Sequence, residues 1–465
     1  MTPAIDHTWR HYGADLAGTR FSPAAQINRS NVGRLEIAWT TSLQAPLTTR
    51  GSQASTGQWV CQACRDVRYE STPVTNGELL FTSSPFGKVV ALDPANGSAR
   101  WWFDAQVDLK RTYPEGFTSR GVALWKDHSN AREFCAERVI VTTIDGRLIA
   151  LDARSGKPCS TFGYGGTVHV RHAVEKESST RVAAMTSPAT VIDTIVVVGS
   201  DGNQRSAGQF SARGLVQAFD VRNGRMLWSF APLQVGPDTA LRNNAGAGAN
   251  VWSVMSADPQ HKLIFIPTSS AGPNHFGGDR AGSNEHANSL VAVDAGTGKV
   301  VWAFQAVHHD LWDYDVAAQP VLFDLRLRNA TIPAVAIGTK TGMIFVLNRL
   351  TGIPLFPIEE RSVPQTDVPG ARTSLTQPFP QDTGPILHDL VLPATAAFGI
   401  TAEDREFCTR VLSQVRNEGI FTPPSVRGSL VWPGFWGGIN WDGLAWDPST
   451  QTLITTLKRL AMVAR

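Results

Sequence analysis

The sequence predicts an all-β protein and, within that class, a β-propeller of four-stranded blades. Three observations support this prediction: the composition, a turn phrase that recurs along the chain, and short strand pairs that precede most copies of the phrase. The chain has 465 residues, with 41 Gly, 28 Pro and 14 Trp. This mixture is typical of many short strands joined by tight turns and disfavours a helical bundle.

The turn phrase recurs six times, as in "AFDVRNGRMLWSF" (218–230) and "AVDAGTGKVVWAF" (292–304). An apolar strand ends at an acid or its Asn substitute, at Asp93, Asp152, Asp220, Asp294, Asn348 and Asp447. The carboxylate can accept backbone N–H groups in the turn, and a Gly four residues later, in every copy but the last, supplies a positive φ. A second strand follows and often bears a Trp that can pack between sheets. Chance recurrence and a β-sandwich explain such a repeat less well than propeller blades do.

Further strands precede most copies of the phrase, in "ELLFTSS" (78–84), "RVIVTTIDGRLIAL" (138–151) and "KLIFIPTSS" (262–270). Four short strands in every 50–70 residues, roughly, make one propeller blade. Residues 349–444 form a long, Pro-rich insertion in which "EDREFCTRVLSQVRN" (403–417) predicts a short helix. Long insertions on a rigid scaffold are where binding pockets are built.

Charge and hydropathy exclude several classes of partner. Lys and Arg total 42 against 40 acids, a formal net charge of +2, so we expect no nucleic-acid partner. No stretch approaches the roughly 18 continuous apolar residues of a membrane span. The start, "MTPAIDHTWRHYG", has neither the basic nor the apolar part of a signal peptide. The protein is therefore expected to be cytoplasmic, or to have an export segment outside this sequence.

The five cysteines leave two interpretations open. Cys61 and Cys64 form one "CQAC" pair, and Cys135, Cys159 and Cys408 stand apart. A structural zinc site usually needs a second ligand pair, which the sequence does not offer. A disulfide among the five and inert buried thiols both fit.

The segment "HHDLWDYD" (308–315) concentrates three acids, two imidazoles and two aromatic rings in eight residues. It could be a metal site, a catalytic base in a cofactor pocket, or a polar hairpin. The segment alone does not separate these three.

Longer stretches around this segment carry a resemblance. They include "WRHYGADLAGTRFSPAAQINRSNVGRLEIAW" (9–39), "VHHDLWDYDVAAQP" (307–320) and "GTKTGMIFVLNRLTG" (338–352). Together they resemble the quinoprotein dehydrogenases, eight-bladed propellers that hold pyrroloquinoline quinone (PQQ) at the ring centre. Two more stretches, "NEGIFTPPSVRGSLVWPGFWGGINW" (417–441) and "TLKRLAMVAR" (456–465), resemble the membrane-bound glucose/quinate/shikimate branch.

The resemblance implies a set of site residues. Asp313 matches the family's catalytic base, and a carboxylate suits proton removal from an alcohol. Lys340 matches the cation at the quinone oxygens, where an ammonium stabilises developing negative charge. The implied cofactor contacts are Arg120, Thr186, Trp252, Lys340 and Trp441, with Trp252 as the floor beneath the ring. A hard cation, Ca²⁺ or Mg²⁺, is expected on Asp201 and Asn203.

Each of these residues also has an ordinary structural interpretation. Asp313 could cap a turn, Lys340 could be a solvated hairpin lysine, and Trp252 could be one more Trp packed between blades. We expect structural roles for Asp310 and Asp315. For His308 and His309, a structural or supporting role is favoured over metal ligation.

Three positions depart from the family pattern. Ser270 stands where the alcohol-dehydrogenase relatives place an Asn metal ligand. Phe86 and Phe435 stand where glucose-oxidising members have a His and an Asn, so glucose is not expected to be the main substrate.

The sequence thus predicts a PQQ-dependent dehydrogenase acting on a polyol, cyclitol or sugar. The resemblance also implies that electrons pass to a ubiquinone-type acceptor and that the protein is located on the periplasmic side of the inner membrane. Alternatives are a non-catalytic propeller that serves as a binding or assembly scaffold, and an inactive truncated relative. We expect residues 1–465 to form a single propeller domain lacking C-terminal blades, in which the strand "GRLEIAW" (33–39) lacks its usual partners.

Overall fold

The structure, a computed structural model, describes residues 8–43, 67–113, 115–129, 133–170, 184–200, 214–233, 248–327, 330–382 and 391–464. They fall into two compact units. The first unit is Met1–Asp201 with Val216–Ser229, and the second unit is Gly202–Leu215 with Phe230–Arg465. Among the described residues, none of the helices has the length and apolar character that crossing a bilayer requires.

The strands before residue 231 form three antiparallel sheets of four strands and one parallel pair. They are β1 (Val67–Tyr69), β2 (Val74–Thr75), β3 (Leu80–Ser83), β4 (Lys88–Leu92), β5 (Ala99–Asp104), β6 (Phe117–Ser119), β7 (Ala123–Lys126), β8 (Glu137–Thr142), β9 (Arg147–Asp152), β10 (Thr167–His169), β11 (Thr190–Ile192), β12 (Ile195–Gly199), β13 (Val216–Asp220) and β14 (Met226–Phe230). The sheets are β2–β5, β7–β10 and β11–β14, each with its strands in chain order, and β1 pairs with β6.

The strands after residue 231 begin with a fourth four-stranded sheet, β15 (Ser256–Asp258), β16 (Leu263–Pro267), β17 (Ser289–Asp294) and β18 (Val300–Gln305). A three-stranded sheet follows, β19 (Val321–Leu327), β20 (Ala330–Gly338) and β21 (Ile344–Asn348). The remaining strands pair as β22 (Ile358–Ser362) with β23 (Thr376–Pro380), β24 (Ser429–Val431) with β27 (Met462–Ala464), and β25 (Leu444–Asp447) with β26 (Thr452–Thr455). These sheets confirm the all-β, blade-like architecture predicted from the repeat.

Neighbouring sheets share their cores. In the first unit, one apolar cluster joins Phe81 and Val89 of the sheet β2–β5 to Val139 and Ile149 of the sheet β7–β10. In the second unit, Phe323 of β19 stacks on Trp446 of β25 with ring centroids 4.1 Å apart. These sheets therefore bury apolar side chains against one another, as propeller blades do.

All six turn phrases adopt the predicted geometry. In every copy the side-chain oxygen of the acid or Asn accepts a backbone N–H at 2.8–2.9 Å. The five glycines have φ between 69° and 74°, and Gln451 takes the same left-handed region in the last copy with φ 56°. The repeat is therefore a real structural unit.

The Trp residues predicted to pack between sheets do so along the chain. Trp101 of β5 donates its indole N–H to the carbonyl of Ala153 in the next turn phrase at 3.0 Å. Its ring covers Gly156, where an added Cβ would lie 2.5 Å from the indole. Trp302 of β18 makes the same pair of contacts with Arg349 and Gly352. A Gly in the phrase thus provides both the turn and the space for the Trp ring.

Residues 35–39 lack strand partners among the described residues, as predicted, but they do not form a strand, so that part of the prediction is wrong. Leu35 and Ile37 are 59% and 84% exposed, and none of the strands in the described part of the chain pairs with this segment. Trp39 still donates to the carbonyl of Pro94 at 3.0 Å and covers Gly97. Trp39 thus makes the same two contacts as Trp101, a hydrogen bond to a turn-phrase carbonyl and packing on its Gly, although it does not lie on a strand.

Two smaller expectations are resolved by the structure. The predicted helix is α1 (Ala402–Gln414), which begins with a capping box between Thr401 and Asp404; short 3₁₀ helices lie at Val32–Arg34 and Ala394–Ala396. Cys135 and Cys159 form a disulfide, and Cys408 on α1 is a free thiol. Cys61 and Cys64 lie outside the described residues.

Candidate active site

The segment "HHDLWDYD" lies in the loop between β18 and β19 and contains no strand of its own. Two aromatic side chains fix it. Trp312 and Tyr314 are fully buried and stacked with their ring centroids 5.9 Å apart. The indole N–H of Trp312 donates to the carbonyl of Thr422 at 2.6 Å, and the Tyr314 hydroxyl donates to that of Ile420 at 3.1 Å. The segment is therefore a buried, anchored loop and not a polar hairpin.

Asp310 closes the turn of this loop. Its two carboxylate oxygens accept the backbone N–H groups of Trp312 at 2.9 Å and Tyr314 at 3.0 Å. This is the structural role expected for Asp310. Because the turn is closed from within, the loop can hold Asp313 at φ 63°, a left-handed conformation that is uncommon for non-glycine residues.

Asp313, Lys340 and Asp315 form one cluster, in which Lys340 and Asp315 are buried and the side chain of Asp313 stays partly exposed. The Lys340 Nζ donates to Asp315 Oδ2 at 2.8 Å and to Asp313 Oδ2 at 3.2 Å. Lys340 follows β20, and the backbone of Gly437 passes so close that an added Cβ would lie 2.5 Å from the lysine side chain. The structure thus brings Asp313 and Lys340 into contact, while the chemical role that the resemblance implies for each stays a prediction.

Asp315 connects the cluster to Trp252. Its Oδ2 also accepts the indole N–H of Trp252 at 3.2 Å, and its Oδ1 accepts the backbone N–H of Ser270 at 2.7 Å. One carboxylate therefore orients both the lysine and the indole. Trp252 is half-buried, and its indole N–H donates to a carboxylate, whereas those of Trp101 and Trp302 donate to backbone carbonyls.

Ser270 is directed into the acid cluster. Its hydroxyl contacts carboxylate oxygens of Asp310 and Asp315 and accepts the Asn288 amide at 3.0 Å. Ser270 is completely buried. The hydroxyl that replaces the expected Asn is therefore occupied in holding the loop together.

The pKa values of Asp313 and Lys340 are both raised, but by different causes. Burial raises the pKa of Asp313 well above its ordinary value; Lys340 opposes this shift and Asp315 adds to it. Burial alone would lower the pKa of Lys340, but Asp313 and Asp315 together raise it. The site thus combines a persistent cation with a carboxyl group whose proton affinity is increased, as a general base requires.

Sequence reasoning missed Asn274, the second donor to Asp313. Its Nδ2 donates to Asp313 Oδ1 at 2.8 Å, on the side of the carboxylate that Lys340 does not contact. The two residues are 39 positions apart, and nothing in the local sequence around Asn274 signals the pairing. Asn274 is 5% exposed.

The two histidines of the loop have supporting contacts. His309 is buried, and its Nδ1 lies 2.7 Å from the Gly282 carbonyl. His308 lies toward the surface, with its Nε2 3.0 Å from Glu360 Oε1. These contacts agree with the expectation of a structural or supporting role.

In the first unit, Arg120 and Thr186 form a pair of their own. The Arg120 guanidinium donates to the Thr186 hydroxyl at 2.7 Å and forms a buried ion pair with Glu70 at 2.8 Å. Arg120 and Thr186 are both buried. The sequence did not indicate Glu70, which lies in another part of the chain and has no motif of its own.

The other predicted residues are distributed as follows. Trp441 is half-buried, and its backbone N–H donates to the side-chain Oδ1 of Asn440 at 2.7 Å. Phe86 packs on Phe117 with ring centroids 5.5 Å apart, and Phe435 is 39% exposed. The proposed metal ligands Asp201 and Asn203 lie outside the described residues.

Comparison with known proteins identifies similar chains along nearly the whole length. Residues 9–465 match the family model described as PQQ: glucose/ethanol/alcohol dehydrogenase, beta-propeller domain. The chain is 35% identical to the quinoprotein glucose dehydrogenase of Gluconobacter oxydans, over 98% of this chain and 56% of that protein. It is 32% identical to the quinate/shikimate dehydrogenase (quinone) of Acinetobacter baylyi, over 98% of this chain and 56% of that protein. The chain thus spans a little over half the length of these curated relatives.

Solved structures give the same fold at lower identity. The quinohemoprotein alcohol dehydrogenase ADHIIG of Pseudomonas putida matches with a TM-score of 0.67 and 22% identity, over 97% of this chain and 57% of that one. A europium-containing methanol dehydrogenase matches with a TM-score of 0.66 and 21% identity, over 97% of this chain and 68% of that one.

Proposed function

Since this chain belongs to the PQQ family of glucose/ethanol/alcohol dehydrogenase β-propellers, we propose that it oxidises a hydroxyl group of a polyol, cyclitol or sugar with PQQ as cofactor. The observation that carries the proposal is the carboxyl group of Asp313, partly exposed and held between Lys340 and Asn274. A carboxylate of raised pKa beside a fixed cation is suited to taking a proton from an alcohol.

The described residues fit the cofactor by their chemistry. PQQ is a flat tricycle with three carboxylates and a reactive ortho-quinone. A half-buried indole, Trp252, is tethered through Asp315 to the buried ammonium of Lys340. A flat aromatic face and a desolvated cation are what such a ring requires. When bound, PQQ supplies the oxidant for the substrate C–H bond, and its divalent cation polarises the quinone carbonyl.

The proton chemistry falls to this chain's own residues. Asp313 Oδ2 or Oδ1 accepts the proton of the substrate hydroxyl, and Lys340 keeps the carboxylate in place through Oδ2. Asp315 holds the lysine on the other side. Because the ammonium stays charged, it also favours negative charge that develops on a neighbouring oxygen.

The cation is proposed to be Ca²⁺ or Mg²⁺, with Asp201 and Asn203 as its ligands. Hard oxygen donors of this kind suit both ions. Arg120, Thr186 and Trp441 keep the cofactor-binding roles that the sequence predicts. The planar fork of Arg120 suits a carboxylate partner, as its ion pair with Glu70 illustrates.

We expect quinate to be a better substrate than glucose. Rings at Phe86 and Phe435 offer no hydrogen bond to a sugar hydroxyl, and an unpaired hydroxyl costs about 1–3 kcal/mol when buried. The kcat/KM for glucose should therefore be lower than that for quinate by roughly tenfold or more. Steady-state rates of the reconstituted enzyme with both compounds test this, and a clear preference for glucose contradicts it.

The electron acceptor and the location are proposed from the family. We expect the reduced cofactor to pass its electrons to a ubiquinone-type acceptor, with the protein on the periplasmic side of the inner membrane. Reduction of a soluble ubiquinone analogue by the reconstituted enzyme, in the presence of substrate, measures the first of these directly.

The central experiment is reconstitution. The purified protein is incubated with PQQ and either Ca²⁺ or Mg²⁺, and dye reduction is followed with a panel of polyols, cyclitols and sugars. Turnover that requires both PQQ and the cation supports the proposal. PQQ binding without turnover of any hydroxyl compound contradicts it and favours a non-catalytic scaffold.

A further inference from the structure

The segment 272–284 lies across the loop that carries Asp313. The buried Arg280 guanidinium donates to the carbonyl of Asp310 at 2.6 Å, and burial lowers its pKa to about 10. The backbone N–H of His309 donates to the carbonyl of Ser283 at 3.0 Å. These contacts fix the segment, and with it Asn274, relative to the carboxylate.

Only one half of the Asn274 amide is used. Its nitrogen donates to Asp313, as the ionised carboxylate that acts as the base requires, because that form only accepts hydrogen bonds. Its Oδ1 is buried and has no hydrogen-bond partner. A buried amide oxygen without a donor is uncommon in native proteins and calls for an explanation such as a bound ligand.

We propose that Asn274 determines substrate specificity by accepting a hydrogen bond from a second hydroxyl, on the carbon next to the one that is oxidised. The inference rests on the proposed function, since it places the first hydroxyl on Asp313. The ligand class it selects is the vicinal diol, as found in polyols, cyclitols and sugars.

Geometry supports a vicinal arrangement. The unpaired Oδ1 and the donating Nδ2 share one carbon, so the oxygen lies next to the atom that contacts Asp313 Oδ1. A substrate hydroxyl that reaches Asp313 therefore brings a hydroxyl on the adjacent carbon within reach of Asn274. A monohydric alcohol of the same size leaves the amide oxygen unpaired, which lowers its kcat/KM relative to the diol by roughly 10- to 100-fold.

The test compares cis-1,2-cyclohexanediol with cyclohexanol on the full chain loaded with PQQ and Ca²⁺. Two readouts are taken: the ratio of kcat/KM values, and the rise in Tm that each compound produces at saturating concentration, since a ligand of the native state stabilises it. The second readout does not depend on turnover. The variant is Asn274→Leu, which keeps the number and branching of the side-chain heavy atoms and removes both polar atoms.

Asn284→Leu is the matched control. Asn284 lies in the same segment and accepts a hydrogen bond from Arg280 at 2.6 Å, but its amide is not bonded to Asp313. It therefore tests whether loosening the segment is sufficient. Asn274→Ala serves as a second variant if the leucine variant does not fold.

The expected result is a diol preference in the wild type and in Asn284→Leu, and its loss in both Asn274 variants. Equal stabilisation of the wild type by the two compounds overturns the inference and points to an ordered water on the amide. A diol preference that survives in the Asn274 variants also overturns it. If the wild type binds the diol preferentially but oxidises neither compound, the inference stands and the proposed function fails.

Discussion

The turn aspartates and Asp313 are the same side chain in opposite surroundings. Asp93 and Asp447 lie at the ends of strands, partly exposed, and hydrogen bonds within the turn, joined by Arg100 in the case of Asp93, hold their pKa values low, that of Asp447 at about 2. Asp313 is enclosed, and burial raises its pKa. An Asp therefore serves as a turn cap or as a base according to its desolvation, not according to its motif.

The tryptophans show the same division. Trp101 and Trp302 donate to backbone carbonyls and cover a Gly of the next phrase. Trp252 donates to the carboxylate of Asp315, which is itself bonded to Lys340. The repeated residues hold sheets together, whereas the loop residue is connected to the charged cluster.

The largest expected difference is between Asp313→Asn and Asp93→Asn. The amide at position 313 cannot take a proton, so turnover should fall by about 10²–10⁴-fold while PQQ still binds. At position 93 the amide still accepts the turn N–H, as Asn348 does in its own phrase, and activity should not change. Dye-reduction rates and PQQ titrations of both variants measure this; wild-type turnover in Asp313→Asn would show that the base is another group.

The next difference is between Trp101→Ala and Trp252→Ala. Removing a Trp packed between sheets should destabilise the fold by about 3–5 kcal/mol. Removing Trp252 should instead weaken PQQ binding by roughly tenfold, because stacking on the ring is lost. Urea unfolding and PQQ titration of each variant separate the two effects. If Trp252→Ala lost much stability but bound PQQ normally, Trp252 would be a packing residue like Trp101 and not a cofactor contact.

A smaller effect is expected from Gly156→Ala, with Gly165→Ala as its control. Both glycines have positive φ, but an added Cβ at Gly156 meets the Trp101 ring at 2.5 Å, whereas nothing lies within 4 Å at Gly165. Strain alone should cost about 1 kcal/mol at either position, and the clash should add to it only at Gly156. Equal losses of unfolding free energy would show that the ring moves aside without cost.

The smallest effect concerns pH. Because the pKa of Asp313 is raised, the protonated and inactive form accumulates as pH falls through that value, and kcat/KM should fall about tenfold per pH unit below it. The stability that Asp447 contributes is present above its unfolded pKa, near pH 4, and is lost only as pH falls through about 2. Activity should therefore decline on acidification while circular dichroism still reports a folded protein. If activity and the circular dichroism signal were lost over the same pH range, the loss of activity would reflect unfolding and not protonation of Asp313.

Much of the fold could be predicted because its signals are local. Each turn phrase places a strand end, an acceptor and a left-handed residue within five positions, so Asp152 and Gly156 could be assigned from the sequence alone. The strand expected at residues 35–39 could not be judged in this way. Its existence depends on a neighbouring strand, and the apolar pattern of the segment does not indicate whether one is present.

The candidate site was only partly predictable. Asp313 and Lys340 were indicated by a long motif, but the residues that hold them were not. Asn274 reaches Asp313 across 39 positions, and Trp252 reaches Asp315 across 63. Asp315 was expected to be structural, yet it contacts both Lys340 and Trp252. Such pairings arise from the packing of distant loops and have no periodic signature.

The contacts of Trp39, Trp101 and Trp302 have one direction. In each case the indole binds a turn phrase that follows it in the chain, at Pro94, Ala153 and Arg349. During synthesis, the indole ring of each of these residues therefore has no turn phrase to pack on until the next phrase has been made. It can then cover the Gly of that phrase. Co-translational folding can therefore complete these three contacts only in chain order.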